Sequence, residues 1–300
     1  FAEAGLHTVR VTGSASTLGG AFSPSALWTD TLKAVRSFGN IGFISLAYAF
    51  KDVVANVELP SNIPNTVQTL FRTFFSATNF NQNIGTWKVS NINEMLDTFR
   101  NADAFDQDIS GWDFSGLNST NDLNNFMRDA TGLSFTNYDA LLIAWSNAAD
   151  ASPSQIFSPL NPNMGGSQVK SLSAVAARDN LINNYGWTIT DGGLAEDAVM
   201  GLEFTTTTAS QQVLIPLVGV SSVDIDWGDG SSVETVTSDN PTHTYAAAGV
   251  YDVQVTGDAT TLGGTSSPSA DWTSTITAVK SFGDLQMTSF ARAFQGVTAN

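Results

Sequence analysis

The chain has 300 residues, of which 13% are charged, and 28 acids against 12 bases give a formal net charge of −16. An average soluble domain is about 25% charged, so the acidity reflects missing Lys and Arg, and no nucleic-acid partner is expected. The absence of Cys excludes disulfide scaffolds and thiol nucleophiles, and no apolar run is long enough to cross a membrane.

The start of the chain is repeated at its end. Residues 1–56 align without a gap on residues 245–300, and more than half of the aligned pairs are identical. Such a repeat predicts one complete module, residues 1–244, followed by the beginning of a second. We therefore expect the sequence to be a segment of a longer tandem array.

A shorter period runs through the module. Its apolar positions are Val67, Leu70, Phe74, Ala77, Phe80, Ile84 and Trp87, then Ile92, Met95, Phe99, Ala102, Phe105, Ile109 and Trp112. Looser copies use Leu46, Phe50 and Val53 before them, and Leu123, Met127, Ala130 and Leu133 after them. The first four positions have the spacing of a short amphipathic helix, and the remainder indicates an extended segment closed by a turn. Copies that stack would bury their apolar stripes, which predicts a short-coil α/β solenoid with aligned Phe and Trp side chains.

Two helical segments follow the coils. Apolar spacing predicts helices within residues 137–147 and 171–185, the second ending at Tyr185–Gly186 before a short strand, Trp187–Ile189. The segment between them, residues 152–167, is rich in Pro, Asn, Ser and Gly and is predicted to be a loop. We expect these elements to cap the last coil, which would otherwise expose an apolar face.

After Gly193 the apolar period changes to two. Short alternating segments separated by turn residues predict a small antiparallel sandwich over about residues 197–257. The predicted fold class is mixed α and β and multidomain, with the solenoid alternating with an all-β sandwich. The predicted divisions are the terminal strands of a truncated sandwich at 1–12, the solenoid with its helical cap at 13–193, the sandwich at 194–257, and the start of the next solenoid at 258–300.

The sequence VDIDWGDG contains a candidate metal site. Asp224, Asp226 and Asp229 offer clustered carboxylates, which hard cations prefer, so a calcium site is one interpretation. In the alternative, which we favour, Asp229 accepts backbone N–H groups in its glycine-flanked turn while Asp224 and Asp226 lie on one strand face. No other cofactor is predicted.

Polar triplets at residues 81–83 and 106–108 recur one coil apart, beside the recurring Trp side chains. They could bind sugars through amide hydrogen bonds and ring stacking. Alternatively, Gln82 and Gln107 satisfy backbone groups between coils while the Trp rings are core, which we favour. His243 has no carboxylate at motif spacing and is predicted to be a hydrogen-bonded strand residue. No carboxylate pair stands out as a glycosidase site, so no enzyme is predicted.

Two groups of motifs resemble known families. IDWGDGS at 225–231, followed by HTYAAAGVYDVQVTG at 243–257, is similar to PKD-type Ig-like sandwich domains. FNQNIGTWKVSNINEMLDTFRNADAFDQDISGW at 80–112, with the closing NYDALLIAWSN and ARDNLINNYGWTITDGG, resembles the BspA-like bacterial surface proteins, whose leucine-rich-repeat-type solenoid repeats are also known as DUF285. The first coil departs from this pattern because it lacks the FNQ segment, and the third because it lacks the ISGW segment.

The resemblance implies an extracellular protein, at the cell surface or secreted, and it implies no catalytic residues. We expect a structural and adhesive segment of a very long repeat protein, such as an adhesin, stalk or filament. Its expected partners are neighbouring modules of the same chain or identical chains, and an extracellular matrix protein or a glycan. The alternative is a carbohydrate-binding or substrate-targeting array of a secreted enzyme or a viral fibre.

Overall fold

A computed structural model describes residues 7–19, 26–151, 159–195, 199–264, 269–283 and 285–298. Within these residues the fold is mixed α and β, with antiparallel sheets and few helices. The chain forms two compact units. The first comprises Phe1–Ser167 and Leu181–Asp191, and the second comprises Gln168–Asn180 and Gly192–Asn300.

Consecutive tight turns build the middle of the first unit. We call residues 46–53, 70–77, 95–102 and 123–130 the turn stack. Bonds between copies join the N–H groups of Leu70, Arg72, Phe74 and Ser76 to the carbonyls of Glu94, Leu96, Thr98 and Arg100. Bonds within a copy join the N–H groups of Thr73, Phe75 and Ala77 to the carbonyls three residues earlier. Along each copy the N–H groups therefore alternate between two roles: one group bonds within its own turn, and the next bonds to the following copy.

The predicted amphipathic helix is wrong for the turn stack. An α-helix directs its N–H groups to carbonyls four residues earlier in the same segment, whereas here alternate N–H groups leave the segment. The turns use non-glycine residues in the left-handed conformation, with φ of 53° at Arg72 and 55° at Ser76. The next copy repeats this conformation at Asp97 and Asn101. Both structures bury the same positions, so the apolar spacing does not distinguish them.

The recurring apolar side chains form the core of the first unit. All the predicted positions in the two best-matched copies are at most 4% exposed. The rings of Phe74 and Phe99 stack with centroids 5.2 Å apart, and those of Phe80 and Phe105 stack at 5.9 Å. The predicted alignment of Phe side chains is therefore confirmed.

Two of the helices, α2 and α3, correspond to the two helices predicted after the coils, and the shorter helices were not predicted. They are α1 Ala26–Thr29, α2 Phe135–Ala151, α3 Leu172–Tyr185 and α4 Ala270–Thr273, with a 3-10 helix at Phe114–Gly116. Helix α2 extends beyond the predicted residues 137–147 at both ends. Gly186, with φ of 70°, follows α3 where the helix was predicted to end. Among the described residues, none of the helices has the length and apolar character needed to cross a bilayer.

The segment after α3 differs from its prediction. The predicted strand at Trp187–Ile189 is not formed: these residues belong to no strand, and the segment makes one isolated bridge, between Asn163 and Thr190. Residues 152–158 of the predicted loop lie outside the described residues. The bonds of the pairing join the N–H groups of Thr188 and Thr190 to the carbonyls of Leu160 and Pro162.

The second unit contains the strands. They are β1 Met200–Thr206, β2 Gln211–Leu214, β3 Leu217–Asp226, β4 Glu234–Val236, β5 Thr242–Tyr245, β6 Gly249–Leu262 and β7 Ile276–Phe282. One sheet has the strand order β4-β3-β6-β1-β7, and β2 pairs with β5 in a second sheet. All pairs are antiparallel. Alternate residues of β1 are buried, as the period of two predicts.

The five-stranded sheet continues past the predicted boundary at residue 257. Strand β6 runs through Gly257, where φ is 111° and a Cβ would lie 2.3 Å from the Ser222 carbonyl oxygen. The glycine permits this close approach to β3. Strand β7 comes from the region that was predicted to begin the next solenoid, and it pairs with β1.

The predicted terminal strands at the start of the chain are not formed over residues 7–12. These residues belong to no strand, and Val9 and Val11 are each 68% exposed. Residues 1–6 lie outside the described residues. A strand needs the hydrogen bonds of a neighbour, and the described strands pair with one another within residues 200–282.

Candidate functional site

A column of polar side chains runs beside the turn stack. The side-chain oxygen of Asn56 accepts the N–H of Asn81 at 2.9 Å, and that of Asn81 accepts the N–H of Asp106 at 3.0 Å. Asp106 in turn accepts the N–H of Ser134 at 2.8 Å. Each side chain therefore satisfies a backbone donor of the next copy, where an unpaired N–H group would be costly.

The two polar triplets thus serve the backbone, although not through the predicted glutamines alone. Gln107 donates to the side-chain oxygen of Asn81 at 2.6 Å and to its carbonyl at 3.3 Å. The bonds to the N–H groups of the next copy are made by Asn81 and Asp106, the first residues of the triplets. The predicted backbone role is confirmed for Gln107, and Asn81 and Asp106 have a backbone role that was not predicted.

The Trp side chains of the two best-matched copies are core residues. The rings of Trp87 and Trp112 are 2% and 4% exposed. Their Nε1 groups donate to the carbonyls of Pro60 and Ile84, each at 3.0 Å. A buried ring offers no face to a sugar, so the core interpretation is confirmed for these two rings.

A cluster of cations lies on another face of the turn stack. Four of the chain's 12 basic residues contribute: Lys51, Arg72, Arg100 and Arg128. The first three surround the ring of Phe75, with charged atoms 5.5, 5.5 and 5.6 Å from its centroid. These distances are typical of cation–π contacts. Such a concentration of positive charge in an acidic chain is a candidate anion site.

Carboxylates from neighbouring copies already pair with this cluster. Arg72 Nε lies 2.8 Å from Asp97, whose side chain is 2% exposed, and Arg100 lies 3.0 Å from Asp129. Burial alone would lower the pKa of Arg72, but the hydrogen bond and attraction to Asp97 outweigh it and raise the pKa. The cluster therefore stabilises contacts between turns, and the carboxylates of Asp97 and Asp129 already neutralise part of its positive charge.

The WGDG turn brings three polar side chains together. Asp229 Oδ1 accepts the Ser231 N–H at 3.0 Å and the Ser231 hydroxyl at 2.6 Å, while Oδ2 lies 2.9 Å from His243 Nε2. The hydroxyl bond is the main cause that lowers the pKa of Asp229 to about 2, against the opposing effect of burial. The His243 ring also stacks on Trp227, with centroids 4.9 Å apart. Two predictions are therefore confirmed: Asp229 accepts a backbone N–H group in its turn, and His243 is a strand residue with a hydrogen bond.

This cluster contains the side chains of a hydrolase triad in an order that does not perform triad chemistry. In a triad the histidine accepts the serine proton, and the aspartate holds the other ring nitrogen. Here the Ser231 hydroxyl donates to Asp229, and His243 contacts the same carboxylate. Asp229 therefore lies between the other two, and the hydroxyl donates its hydrogen bond to the carboxylate and not to the histidine.

The candidate calcium residues each have a separate structural partner. Asp224 accepts the Thr235 hydroxyl at 2.7 Å and the N–H of Ser173, near the start of α3, at 3.2 Å. Asp226 accepts a backbone N–H two residues later. Among the described residues, no group of three or more acidic or histidine side chains could hold a metal ion. These separate partners favour the structural interpretation of the three carboxylates, and the calcium interpretation stays a prediction.

Comparison with known proteins supports one part of the resemblance. Residues 44–157 match the model of a family described as Mycoplasma protein of unknown function, DUF285. The matched segment contains the turn stack and α2, a little over a third of the chain. No curated protein and no solved structure matches the chain.

Two open clefts are found near the segment that matches DUF285: the first lies at its N-terminal border and the second lies within it. Their volumes are about 440 and 450 Å³; the first is lined by Arg36 and Asn62 among others, and the second by Lys88 and Asp113. A glycosidase needs two facing carboxyl groups. Neither of these two linings provides such a pair.

The sequence did not lead us to two side-chain contacts of these clusters, Arg72 with Asp97 and Asp229 with His243. Arg72 and Asp97 occupy equivalent positions in successive copies, so aligning the copies by charge would have found them. Asp229 and His243 were considered separately, because the turn and strand that hold them are not related by any repeat.

Proposed function

We propose that the chain is a structural and adhesive segment of a very long extracellular repeat protein, secreted or at a cell surface, and that it acts as an adhesin, stalk or filament. The observation that carries the proposal is the alternate backbone bonding of the turn stack. The N–H groups of each copy bond to carbonyl groups of the next copy, and its own carbonyl groups accept the same bonds from the previous copy. Such an arrangement grows by adding copies, and the growth creates no enclosed site.

In this proposal the turn stack is a BspA-like solenoid and the strands of the second unit are a PKD-like, Ig-like sandwich. The match of residues 44–157 to DUF285 supports the first part. The WGDG turn and the strands β5 and β6 that follow it support the second. The repetition of residues 1–56 at 245–300 supports a tandem array of such modules.

The proposed mechanism is mechanical and multivalent. The side chains that would make one strong site have internal partners: the cations around Phe75 are paired with carboxylates, and Asp229 holds its own turn. Weak surface contacts then add through effective concentration along the array. The proposed partners are neighbouring modules, identical chains, and an extracellular matrix protein or a glycan.

The test compares one module with tandem arrays on a panel of immobilised glycans and matrix proteins. At equal module concentration, retention is expected to rise by about a hundredfold or more from one module to several. Arrays carrying Phe99→Asp, which disrupts the buried column, are the control and should lose this gain. Equal retention of a single module and an array would contradict the proposal. Saturable binding of a single module to one glycan would favour the carbohydrate-binding alternative.

A further inference from the structure

In the second unit, strand β1 lies between β6 and β7 and is antiparallel to both. Both neighbours belong to the repeated part of the sequence. The equivalents of β6 and β7 near the start of the chain lie within residues 5–18 and 32–38. The aligned residues 1–56 contain no equivalent of β1. The N-terminal copy therefore contains the sequence equivalents of β6 and β7, the two neighbours of β1, but not the sequence of β1 itself.

Two contacts away from these strands are the same in both copies. Trp28 Nε1 donates to the Ala49 carbonyl at 2.8 Å, and the equivalent Trp272 Nε1 donates to the Ala293 carbonyl at 2.7 Å. The parallel bridge between residues 17 and 45 recurs between residues 261 and 289. The copies differ at the segments equivalent to β6 and β7, which among the described residues are strands only in the second copy.

Burial shows that difference most clearly. Val253 and Val255 of β6 are 1% and 0% exposed, whereas their equivalents Val9 and Val11 are each 68% exposed. The sequences around the two pairs are nearly the same, VQVTG and VRVTG. Because burying such side chains is the main driving force for strand association, residues 7–12 have an unused capacity to join a sheet.

The segment equivalent to β7 also has one edge that is not used for pairing. Its bonds to Glu58 use the Lys33 carbonyl and the Val35 N–H. Since successive residues of an extended chain direct their backbone groups to opposite edges, the groups of Ala34 face the other edge. In the second copy the equivalent Ala278 pairs there with β1. Within the described parts of the chain, no strand or bridge pairs with that edge of residues 32–38.

Charge on this segment is complementary to β1. In the second unit, Lys280 of β7 lies 3.3 Å from Glu203 of β1. The equivalent of Lys280 is Arg36, whose side chain is 80% exposed and contacts Glu58. A strand with the sequence of β1 would bring its Glu203 to the same basic position.

We propose that residues 7–12 and 32–38 form an acceptor site for a strand, and that its occupant is a second copy of residues 194–244 whose β1 inserts between them. The whole segment is required because Val253 and Val255 are buried by the full set of strands and not by β1 alone. The inference deepens the proposed array, because it assigns the joint between successive modules.

The experiment adds a second copy of residues 194–244 directly before Phe1 of the 300-residue chain. Thr244 of the added copy then joins Phe1 as Thr244 joins Tyr245 in the original sequence. Hydrogen exchange of the Val9 and Val11 amides is compared with that in the original chain. We expect exchange to slow by at least about a hundredfold, towards the rates of Val253 and Val255 in the same sample.

The control is the same extended chain with Val9→Asp and Val11→Asp. These amides should return to the fast rates of the original chain, while Val253 and Val255 stay slow and show that the second unit remains folded. Fast exchange at Val9 and Val11 in the extended chain without these substitutions would overturn the proposal, whether or not the added segment folds.

Two further readouts separate this proposal from the proposed function. Protection produced by the free 194–244 segment supports a site that also joins separate chains, and protection only in the extended chain supports a joint between successive modules. If Val9 and Val11 become protected but tandem arrays are flexible and bind none of the immobilised glycans and matrix proteins, the acceptor site is supported and the proposed function is contradicted. If arrays are stiff while the Val9 amide still exchanges fast, only the acceptor site is contradicted and the proposed function is not.

Discussion

At the scale of single residues, the first unit depends on aromatic side chains that contact the neighbouring copy. Trp112 is buried, packs against Phe99 with ring centroids 6.3 Å apart, and donates to the Ile84 carbonyl of the preceding copy. Its removal would leave a cavity and an unpaired carbonyl, and both are destabilising.

We therefore expect Trp112→Ala to lower the free energy of unfolding by about 3–5 kcal/mol, as truncation of buried aromatic residues does. Urea titration measures this change. The matched control is Lys88→Ala at an exposed position, which should change the free energy of unfolding by less than about 0.5 kcal/mol. A loss below about 1 kcal/mol for Trp112→Ala would contradict a structural role for the column.

Asp229 makes part of the stability dependent on pH. Its pKa in the folded chain is about 2, below the usual 3.8, so the unfolded chain binds the proton more readily as the pH falls. The stabilisation is complete above about pH 4 and is lost as the pH falls through 2.

Asp229→Asn is expected to lower the free energy of unfolding by roughly 1–3 kcal/mol at pH 7, because it weakens bonds to a charged acceptor. The difference from the wild-type chain should shrink towards pH 2. Denaturant titrations at both pH values test this expectation, with Asp258→Asn on the exposed side of β6 as the control. A difference that stays constant down to pH 2 would argue against the lowered pKa.

Calcium remains a separate prediction at this scale. Because Asp224, Asp226 and Asp229 have protein partners, we expect a chelator to change the melting temperature by less than about 1 °C. Thermal unfolding with and without EDTA measures the change. A larger decrease that calcium reverses, and that Asp226→Asn abolishes, would restore the calcium interpretation.

At the scale of elements, the turn stack depends on left-handed residues at fixed positions. Ser76 has φ of 55°, and the equivalent residue in the next copy is Asn101 with φ of 57°. Asn tolerates this conformation, whereas a β-branched residue does so very poorly.

Ser76→Val is therefore expected to destabilise the chain by about 1–3 kcal/mol. Ser76→Asn, which places the residue of the next copy at this position, should be nearly neutral and is the matched control. Chemical denaturation of both variants gives the comparison. Equal stabilities would show that this turn does not need the left-handed conformation.

The sequence predicted the elements where side-chain pattern alone determines them. Alternating apolar residues and turn residues located the strands before residue 257, but not β7, and Gly186 marked the end of α3. The turn stack was mistaken for helices because Leu70 and Phe74 are buried in either structure. The distinguishing property is the direction of alternate N–H groups, set by the backbone at residues such as Arg72, and hydrophobicity does not report it.

The candidate sites show the same limit. The turn role of Asp229 follows from its glycine neighbours, and it was predicted correctly. The contact of Asp229 with His243 depends on how a turn and a distant strand come together. The pairing of Arg72 with Asp97 was accessible to sequence reasoning, because the period aligns them.

At the scale of the whole molecule, the repeat organises both units. Strands β6 and β7 both come from the second copy of the repeated sequence, yet they complete the sheet of the second unit. The boundary suggested by sequence similarity therefore differs from the boundary at which the sheet ends. A module in the proposed array would begin within one sheet and end within the next.

The most direct test of the proposed rod is the end-to-end length of tandem arrays of residues 1–244, measured by electron microscopy for increasing numbers of modules. A stiff array predicts that the mean length grows in direct proportion to the number of modules. Growth with the square root of that number would indicate flexible joints, and growth with its cube root would indicate a compact particle. Either result would contradict the proposal that the chain acts as a stiff multivalent rod.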